Sequence, residues 1–432
     1  MERDLAVVFP VKLIGRAADG AAWVVVGGGA RAGRAGGSAL LEALEAAIPD
    51  ESVEAAIEAT GTRERRRRRL PTHLVVTLVV AMGLWASESM RHVLAEVVAG
   101  WREGTASERA SWRLPSTAAI VQARHRAGAR LLRELFRAVA RPIATARTRG
   151  AFLGGLRLMA IDGTTLDVAD TPENARAFGR PTTGRGAGAF PQLRVLALIE
   201  TGTHVICDAV LRPFHSGEVP TARRLLRSVG PGMLLLWDRG FHSQEMVRVT
   251  LEREAHFLGR TRRNVVLRPT EILTDGSFLA RIYPSPEARR RDEQGIELRV
   301  IEYALDTPTG PGQERYRLIT SLLDERAFPA EQVAATYHER WEIETALDEV
   351  KVHQWAHPRP LRSKHPREVV QEVYGLLLAH LAIRTVMHQA ALREGLDPDR
   401  LSFTGALRVL RRAIPRAQRT PPEHLPFFRP TC

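Results

Sequence analysis

Along the chain, the spacing of apolar positions changes character twice. In "SALLEALEAAIPDESVEAAIEATG" (38–61) apolar residues recur every three or four positions, with a break at Pro49 and a stop at Gly61. That is the pattern of an amphipathic helix. "LVVTLVVAMGLWA" (74–86) is apolar all round and predicts a buried helix. "LPSTAAIVQARHRAGARLLRELFRAVARPIA" (114–144) returns to helical spacing, with Ser116 or Thr117 placed to cap it and Arg124, Arg126 and Arg130 beside the apolar stripe. At 156 the period shortens. "LRLMAIDGTTLDV" (156–168), bounded by Gly155, reads as a strand, and 192–213 reads as a hairpin turning at Gly202. A short helix (218–230), a buried strand (232–241), a helix (243–255) and a strand (256–261) follow. Such alternation argues for a mixed α/β sheet covered on both faces. Short strands with turns between 263 and 328 predict a β-rich insertion. Pro329 then opens a long helix, and 367–395 is another, ending at Gly395, with a shorter one to about 414.

The helix after Pro329 has an unusual second stripe in "YHERWEIETALDEVK" (337–351). At about 100° per residue, with Tyr337 at zero, Arg340 falls near −60°, Glu344 near −20° and Lys351 near −40°. Ile343, Ala346, Leu347 and Val350 occupy a different arc. One stripe can therefore face a core while its neighbour offers a phenol, a guanidinium, a carboxylate and an ammonium.

Composition narrows what that stripe touches. Lys and Arg number 62 against 49 Asp and Glu, a net charge of +13 and a pI near 10.8, in a chain of 432 residues. A strongly basic protein of this size points to a polyanionic partner, nucleic acid first. The run "RERRRRRLP" (63–71) is either a solvated face or a phosphate-contacting surface. Only Cys207 and Cys432 are present, which excludes a disulfide framework and any multi-cysteine zinc site and favours a reducing cytosol. The longest apolar run is shorter than the roughly 20 residues of a membrane span and too far along the chain for a signal peptide. "TGRGAGAF" (183–190) lacks the ending of a phosphate loop, so no nucleotide cofactor is expected. The 14 histidines show no metal spacing.

Three acids stand at the ends of core elements: Asp162 in "MAIDGTT", Asp238 in "LLLWDRGF" and Glu344 on the charged stripe. A strand-end aspartate is commonly a cap or turn residue. Together, carboxylates from separate elements are what a two-metal site needs.

These blocks resemble the catalytic blocks of DDE transposases of the insertion-sequence-four type. That family's helix block is Tyr-x2-Arg-x3-Glu-x6-Lys, matched by Tyr337, Arg340, Glu344 and Lys351 without a gap. The resemblance covers roughly 40 to 410. It implies a ribonuclease-H-like mixed sheet with a β-rich insertion, preceded by an α-helical N-terminal domain and followed by C-terminal helices. It further implies that Asp162, Asp238 and Glu344 are catalytic and bind two Mg²⁺ ions, with Mn²⁺ as a substitute. Tyr337, Arg340 and Lys351 would bind DNA at the transposon end. The partners it implies are double-stranded DNA, as transposon ends and as target, and a second copy of the chain in a homodimeric synaptic complex. It implies a bacterial cytoplasmic protein with no membrane association. The expected organisation is a flexible extension (1–38), a helical DNA-binding domain (39–150), a catalytic domain (151–262 and 329–365) interrupted by the insertion (263–328), and a helical C-terminal region (366–432). The expected reaction is Mg²⁺-dependent excision and strand transfer by hydrolysis and transesterification. Alternatives are a catalytically inactive DNA-binding protein derived from a transposase, or a nuclease of the same fold. Better-known members hold a flipped base with an aromatic in the insertion. Here the insertion has no Trp, and its aromatics include Phe278, Tyr283, Tyr303 and Tyr316. Lys351 is one of only three lysines, with Lys12 and Lys364, in a chain otherwise biased to Arg. That rarity suggests its compact ammonium matters.

Overall fold

The computed structural model describes residues 42–66, 68–99, 113–183, 186–262, 264–306, 313–355 and 359–416. The expected extension (1–38), Lys12 and Cys432 lie outside them.

Helices come first, among them α1 (Asp50–Thr60), α2 (Thr72–Leu84), α3 (Met90–Ala99) and α4 (Thr117–Val139). Gly61 closes α1 in the left-handed region at φ 64°, where a residue without Cβ carries little strain. The Ser116 hydroxyl caps α4 by accepting from the Ala119 amide at 3.3 Å. Gly128, at φ 71° and ψ 168°, puts a kink in α4 that the apolar spacing does not reveal. Arg124 departs from its expected place beside the stripe. It is buried, donating to Gln371 Oε1 at 2.8 Å, Ser363 Oγ at 3.0 Å and the Glu368 carbonyl at 3.1 Å.

A sheet of ten strands follows. Its labelled strands are β1 (Leu156–Asp167), β2 (Gln192–Glu200), β3 (Val205–Pro213), β4 (Met233–Trp237), β5 (His256–Arg260), β6 (Pro269–Ile272), β7 (Phe278–Ile282), β8 (Ile296–Asp306) and β9 (Gln313–Thr320). The order is β3-β2-β1-β4-β5-β9-β8-β7-β6, with a two-residue strand, Phe152–Leu153, paired to β1. β2 runs antiparallel to β1 and β3, while β1, β4 and β5 are mutually parallel. This 3-2-1-4-5 core with its second strand reversed is the ribonuclease-H-like mixed sheet that the resemblance implies. Leu158 to Ile161 are buried without alternation, as befits a strand covered on both faces. The insertion adds something the sequence does not indicate. β9 pairs with the outer edge of β5, Leu318 opposite Arg260, and the insertion extends the same sheet. An edge strand exposes unpaired N–H and C=O groups, and β9 satisfies them.

The later helices include α5 (Pro172–Phe178), α6 (Gln244–Glu252), α7 (Ala330–His338), α8 (Trp341–Asp348), α9 (Pro366–Glu394) and α10 (Phe403–Ala413), besides two short ones, Glu218–Ala222 and Pro286–Arg291. The one described helix long and apolar enough to cross a membrane is α9, and 89% of its most apolar window is buried inside the protein. It is a core helix. α2 packs across it where both backbones lack Cβ atoms. A Cβ on Gly83 would stand 2.8 Å from Ala379 Cβ, and one on Gly375 would stand 2.5 Å from the Val79 carbonyl. This crossing joins the N-terminal helices to the sheet-covering C-terminal ones.

The long helix expected after Pro329 is in fact three pieces. α7 ends in a tightened turn, with the Glu339 and Arg340 amides bonding to Thr336 and Tyr337 carbonyls three residues back. α8 then passes into a π-helical turn, Glu349–Gln354, where the Trp355 amide bonds five residues back to Val350. The uniform ~100° projection therefore does not carry from Tyr337 through to Lys351.

Candidate active site

Parallel pairing of β1 and β4 puts Ile161 opposite Trp237, so Asp162 and Asp238 follow at the same level. The chain order reverses direction between these two strands. In open α/β sheets ligands bind at that switch point, beyond the strands' carboxyl ends. Asp238 stands there, just past the end of β4. Asp162 instead lies within β1, which runs on to Asp167, so the expected strand-end position is corrected for it. Trp237 fixes the end of β4: its indole is fully buried and stacks on Phe257 at 5.3 Å between centroids. Gly259 makes room for it, since a Cβ there would stand 2.1 Å from the indole nitrogen. Sequence reading missed Gly259, because only the parallel register sets it against Trp237.

Across this edge lie α7 and α8. Arg340, at their junction, stands between the acids. Its Nη2 donates to Glu344 Oε1 at 3.3 Å and its Nη1 lies 3.9 Å from Asp162 Oδ2. The Tyr337 hydroxyl donates to Asp238 Oδ1 at 3.5 Å, and the Arg340 guanidinium lies 5.9 Å from the Tyr337 ring centre. All three acids are thus linked through two residues of the helix block. The expectation of an open stripe is corrected for two members: Tyr337 and Arg340 are 2% and 7% exposed, because the turn at Glu339 folds them against the sheet end. Glu344 keeps its exposed side chain, at 60%. Lys351 lies half-buried on the π-helical turn, and among the described residues it has no ion-pair partner. The structure does not bring it into contact with the acids.

Burial, reinforced by the negative charges of Glu344 and Asp238, pushes the Asp162 carboxyl above its ordinary range despite a bond from the Gly163 amide at 2.7 Å and the Arg340 charge. Burial pushes the Tyr337 phenol well up, so it remains a proton donor. Burial works against the Arg340 charge, but Tyr337, Asp238, Asp162 and Glu344 outweigh it and raise its pKa. Its Nε is buried with no hydrogen-bond partner among the described residues. As placed, no three His, Cys, Asp or Glu side chains among the described residues stand close enough together to hold a metal ion. By donor type the acids nevertheless fit a hard divalent cation, which takes carboxylate oxygens and offsets the mutual repulsion that raises Asp162.

The insertion's aromatics are mostly committed. Tyr303 and Tyr316 are buried and stacked on each other at 5.2 Å, with the Tyr303 hydroxyl 3.0 Å from His338 Nε2. Tyr283 donates to Asp292 at 2.6 Å.

Comparison with known proteins bears on the family of the chain. Residues 38–137 match the family described as insertion element 4 transposase N-terminal, and 153–382 match the transposase DDE domain, which implies a divalent metal cofactor. The chain is similar to the transposase InsG for insertion sequence element IS4 of Escherichia coli K12, 29% identical over 88% of this chain and 84% of that protein. A solved piggyBac transposase synaptic complex with hairpin DNA is similar at TM-score 0.47 and 12% identity, over 87% of this chain and 80% of that one. With the DDE domain matching more than half of its length, this chain belongs to the DDE transposases of the insertion-element-4 family, enzymes that cleave DNA and transfer its strands.

Proposed function

We propose that the protein is a cut-and-paste transposase that excises and inserts an insertion sequence using Mg²⁺ held by Asp162, Asp238 and Glu344. The observation that carries this reading is the levelled pair Asp162 and Asp238 at the sheet's switch point, with Glu344 tied to them through Arg340. Divalent ions bound by these oxygens, two in the full site, supply charge stabilisation at the phosphodiester and raise the acidity of the attacking hydroxyl. First water attacks phosphorus, breaking the P–O3′ bond and leaving a 3′-hydroxyl and a 5′-phosphate. That 3′-hydroxyl then attacks a target phosphorus and releases the target's own 3′-hydroxyl, so one ester bond forms as another breaks.

The chain's own groups handle position and charge. The Tyr337 hydroxyl steadies Asp238. Arg340, with an unbonded Nε and a planar fork, suits two phosphate oxygens of the transposon end. Lys351, on the π-helical turn, adds a compact cation further along the helix block. Residues 39–150, with the arginine run at 63–71, bind the end duplex, and 1–38 are an extension. The catalytic unit spans 151–262 and 329–365, the β-rich insertion 263–328 and the C-terminal helices 366–432. Two copies meet in a synaptic complex on double-stranded ends and target, in the bacterial cytoplasm and without a nucleotide cofactor. An inactive DNA-binding descendant would have no use for three linked acids.

The test uses an end-flanked donor duplex with purified protein. With Mg²⁺, and with Mn²⁺ in its place, a fully excised fragment and joined target products are expected, and neither without divalent ion. Single-strand nicks with no excised fragment would overturn the cut-and-paste reading.

A further inference from the structure

Five residues beyond Glu344, a buried carboxylate has no part in the chemistry above. Glu349 is 4% exposed at the start of the π-helical turn. Its Oε2 accepts from Arg384 Nε at 2.8 Å and lies 3.2 Å from His380 Nε2. Its Oε1 accepts from Arg384 Nη2 and lies 3.6 Å from His204 Nδ1. His204 Nε2 in turn lies 3.2 Å from Asp399 Oδ1. One carboxylate thus ties the end of the catalytic helix to α9, to the β2–β3 turn and, through His204, to the segment before α10.

Apolar packing does not fix α8 alone. At eight residues it is too short to hold itself, since isolated helices below roughly 12 residues are marginal. Its buried Ala346 and Leu347, with Val350 just beyond, provide non-directional adhesion, which resists sliding and rotation weakly. A cavity of about 230 Å³ lies along Thr345, Glu349 and His353, leaving room on that side. Beside the 3.3 Å bond from Arg340 to Glu344, the directional bonds of Glu349 are what remain among the described residues. A buried ion pair is weak support for stability compared with well-packed apolar residues, and its best-attested use is to select one geometry among several. The π turn beginning at this residue, a form that recurs at functional sites, is consistent with that use.

We infer that Glu349, with Arg384 as its partner, is a positioning residue that sets where Glu344 stands relative to Asp162 and Asp238, and so sets the divalent-ion affinity of the catalytic centre. This rests on the assignment of Glu344 as a metal-binding acid. The full-length protein is compared with Glu349→Gln and with the apolar pair Glu349→Leu/Arg384→Leu. Calorimetry on the protein–end-duplex complex measures Mg²⁺ binding, a cleavage titration gives the half-saturating Mg²⁺, and thermal unfolding gives stability.

The pair variant is expected to keep the wild-type unfolding midpoint and end-duplex affinity. Its Mg²⁺ affinity is expected to fall about 10–100-fold, the range seen when groups that orient metal ligands are removed. Wild-type Mg²⁺ affinity in a stable pair variant overturns the inference. If the pair does not fold, Glu349→Asp decides. It keeps the charge and shortens the tether, and it is expected to weaken Mg²⁺ binding in the same direction; wild-type affinity there also overturns the inference. Cleavage surviving in Glu344→Ala would instead remove the catalytic reading beneath it.

Discussion

Two clusters of acids and cations lie five residues apart on one stretch of helix, and they are built differently. Around Glu344 the contacts are long, 3.3 and 3.9 Å, and its carboxylate is 60% exposed. Around Glu349 the carboxylate is 5% exposed and held by Arg384, His380 and His204. A loose cluster can exchange partners, giving up Arg340 contacts when phosphate and metal arrive. A closed cluster cannot, since breaking it leaves an unpaired buried charge. On the reading proposed above, the same residue type does chemistry in one place and fixes geometry in the other.

The sharpest way to break this comparison is one substitution made at both positions. Glu344→Gln is expected to lower end cleavage by roughly 10⁴-fold, the scale for removing one member of a catalytic set. Its folding stability should change by no more than about 1 kcal/mol, as for an exposed ion pair. Single-turnover cleavage and chemical denaturation of the same preparation test both halves. Asp162→Ala and Asp238→Ala should match it in cleavage while retaining specific end binding in a gel shift. Glu349→Gln should shift the balance towards stability, losing about 3–5 kcal/mol because Arg384 stays charged and buried. Its cleavage at saturating Mg²⁺ should fall far less than that of Glu344→Gln. If both glutamines gave the same balance of lost rate and lost stability, the division would fail.

Lys351 comes next in size. If it meets DNA, Lys351→Ala lowers strand transfer by one to three orders of magnitude, at about 1.4 kcal/mol per tenfold, with Mg²⁺ binding intact. Lys351→Arg should rescue only part, because a wider planar fork replaces a compact ammonium. Wild-type transfer by Lys351→Ala would make it an ordinary charged surface residue. Smaller still is Tyr337→Phe. Its bond to Asp238 is long at 3.5 Å, so its removal should slow cleavage by less than about tenfold, or roughly 1.4 kcal/mol.

Acid titration sharpens the contrast in sign. Bonds from His204 and His380 and the Arg384 charge, overcoming burial, hold the Glu349 carboxyl far below its usual value of 4.5. A carboxyl depressed in the folded state adds stability that is fully present above the unfolded pKa and lost as pH falls towards the folded one. The stability gap between wild type and Glu349→Gln should therefore be flat above pH 4.5 and shrink below it. A gap that instead shrank on going from pH 5 to 7 would contradict the assignment of an ionised, paired Glu349.

How legible all this was differs by residue. Local pattern determined where most elements begin and end, though not the breaks in the helix after Pro329. Ser116 caps α4, Gly61 and Gly395 end helices, and the hairpin turns around Gly202, because caps, turns and apolar spacing act over a few residues. The same locality made the spacing of Tyr337, Arg340, Glu344 and Lys351 readable, and the order of the acid blocks with it.

Tertiary structure decided which charged residues are buried and what they touch. Arg124 and Glu349 look like solvated charges in sequence, yet each is enclosed by segments more than 30 residues away. The turn at Glu339 and the π turn after Asp348 re-aim a stripe that a straight helix would have kept together. The insertion, which sequence shows only as a run of short strands, becomes part of the main sheet by pairing β9 with β5. The physical reason is common to all three. A propensity or a period is a property of neighbours in the chain, whereas a salt bridge, a strand pairing or a buried charge requires a partner that only folding brings near.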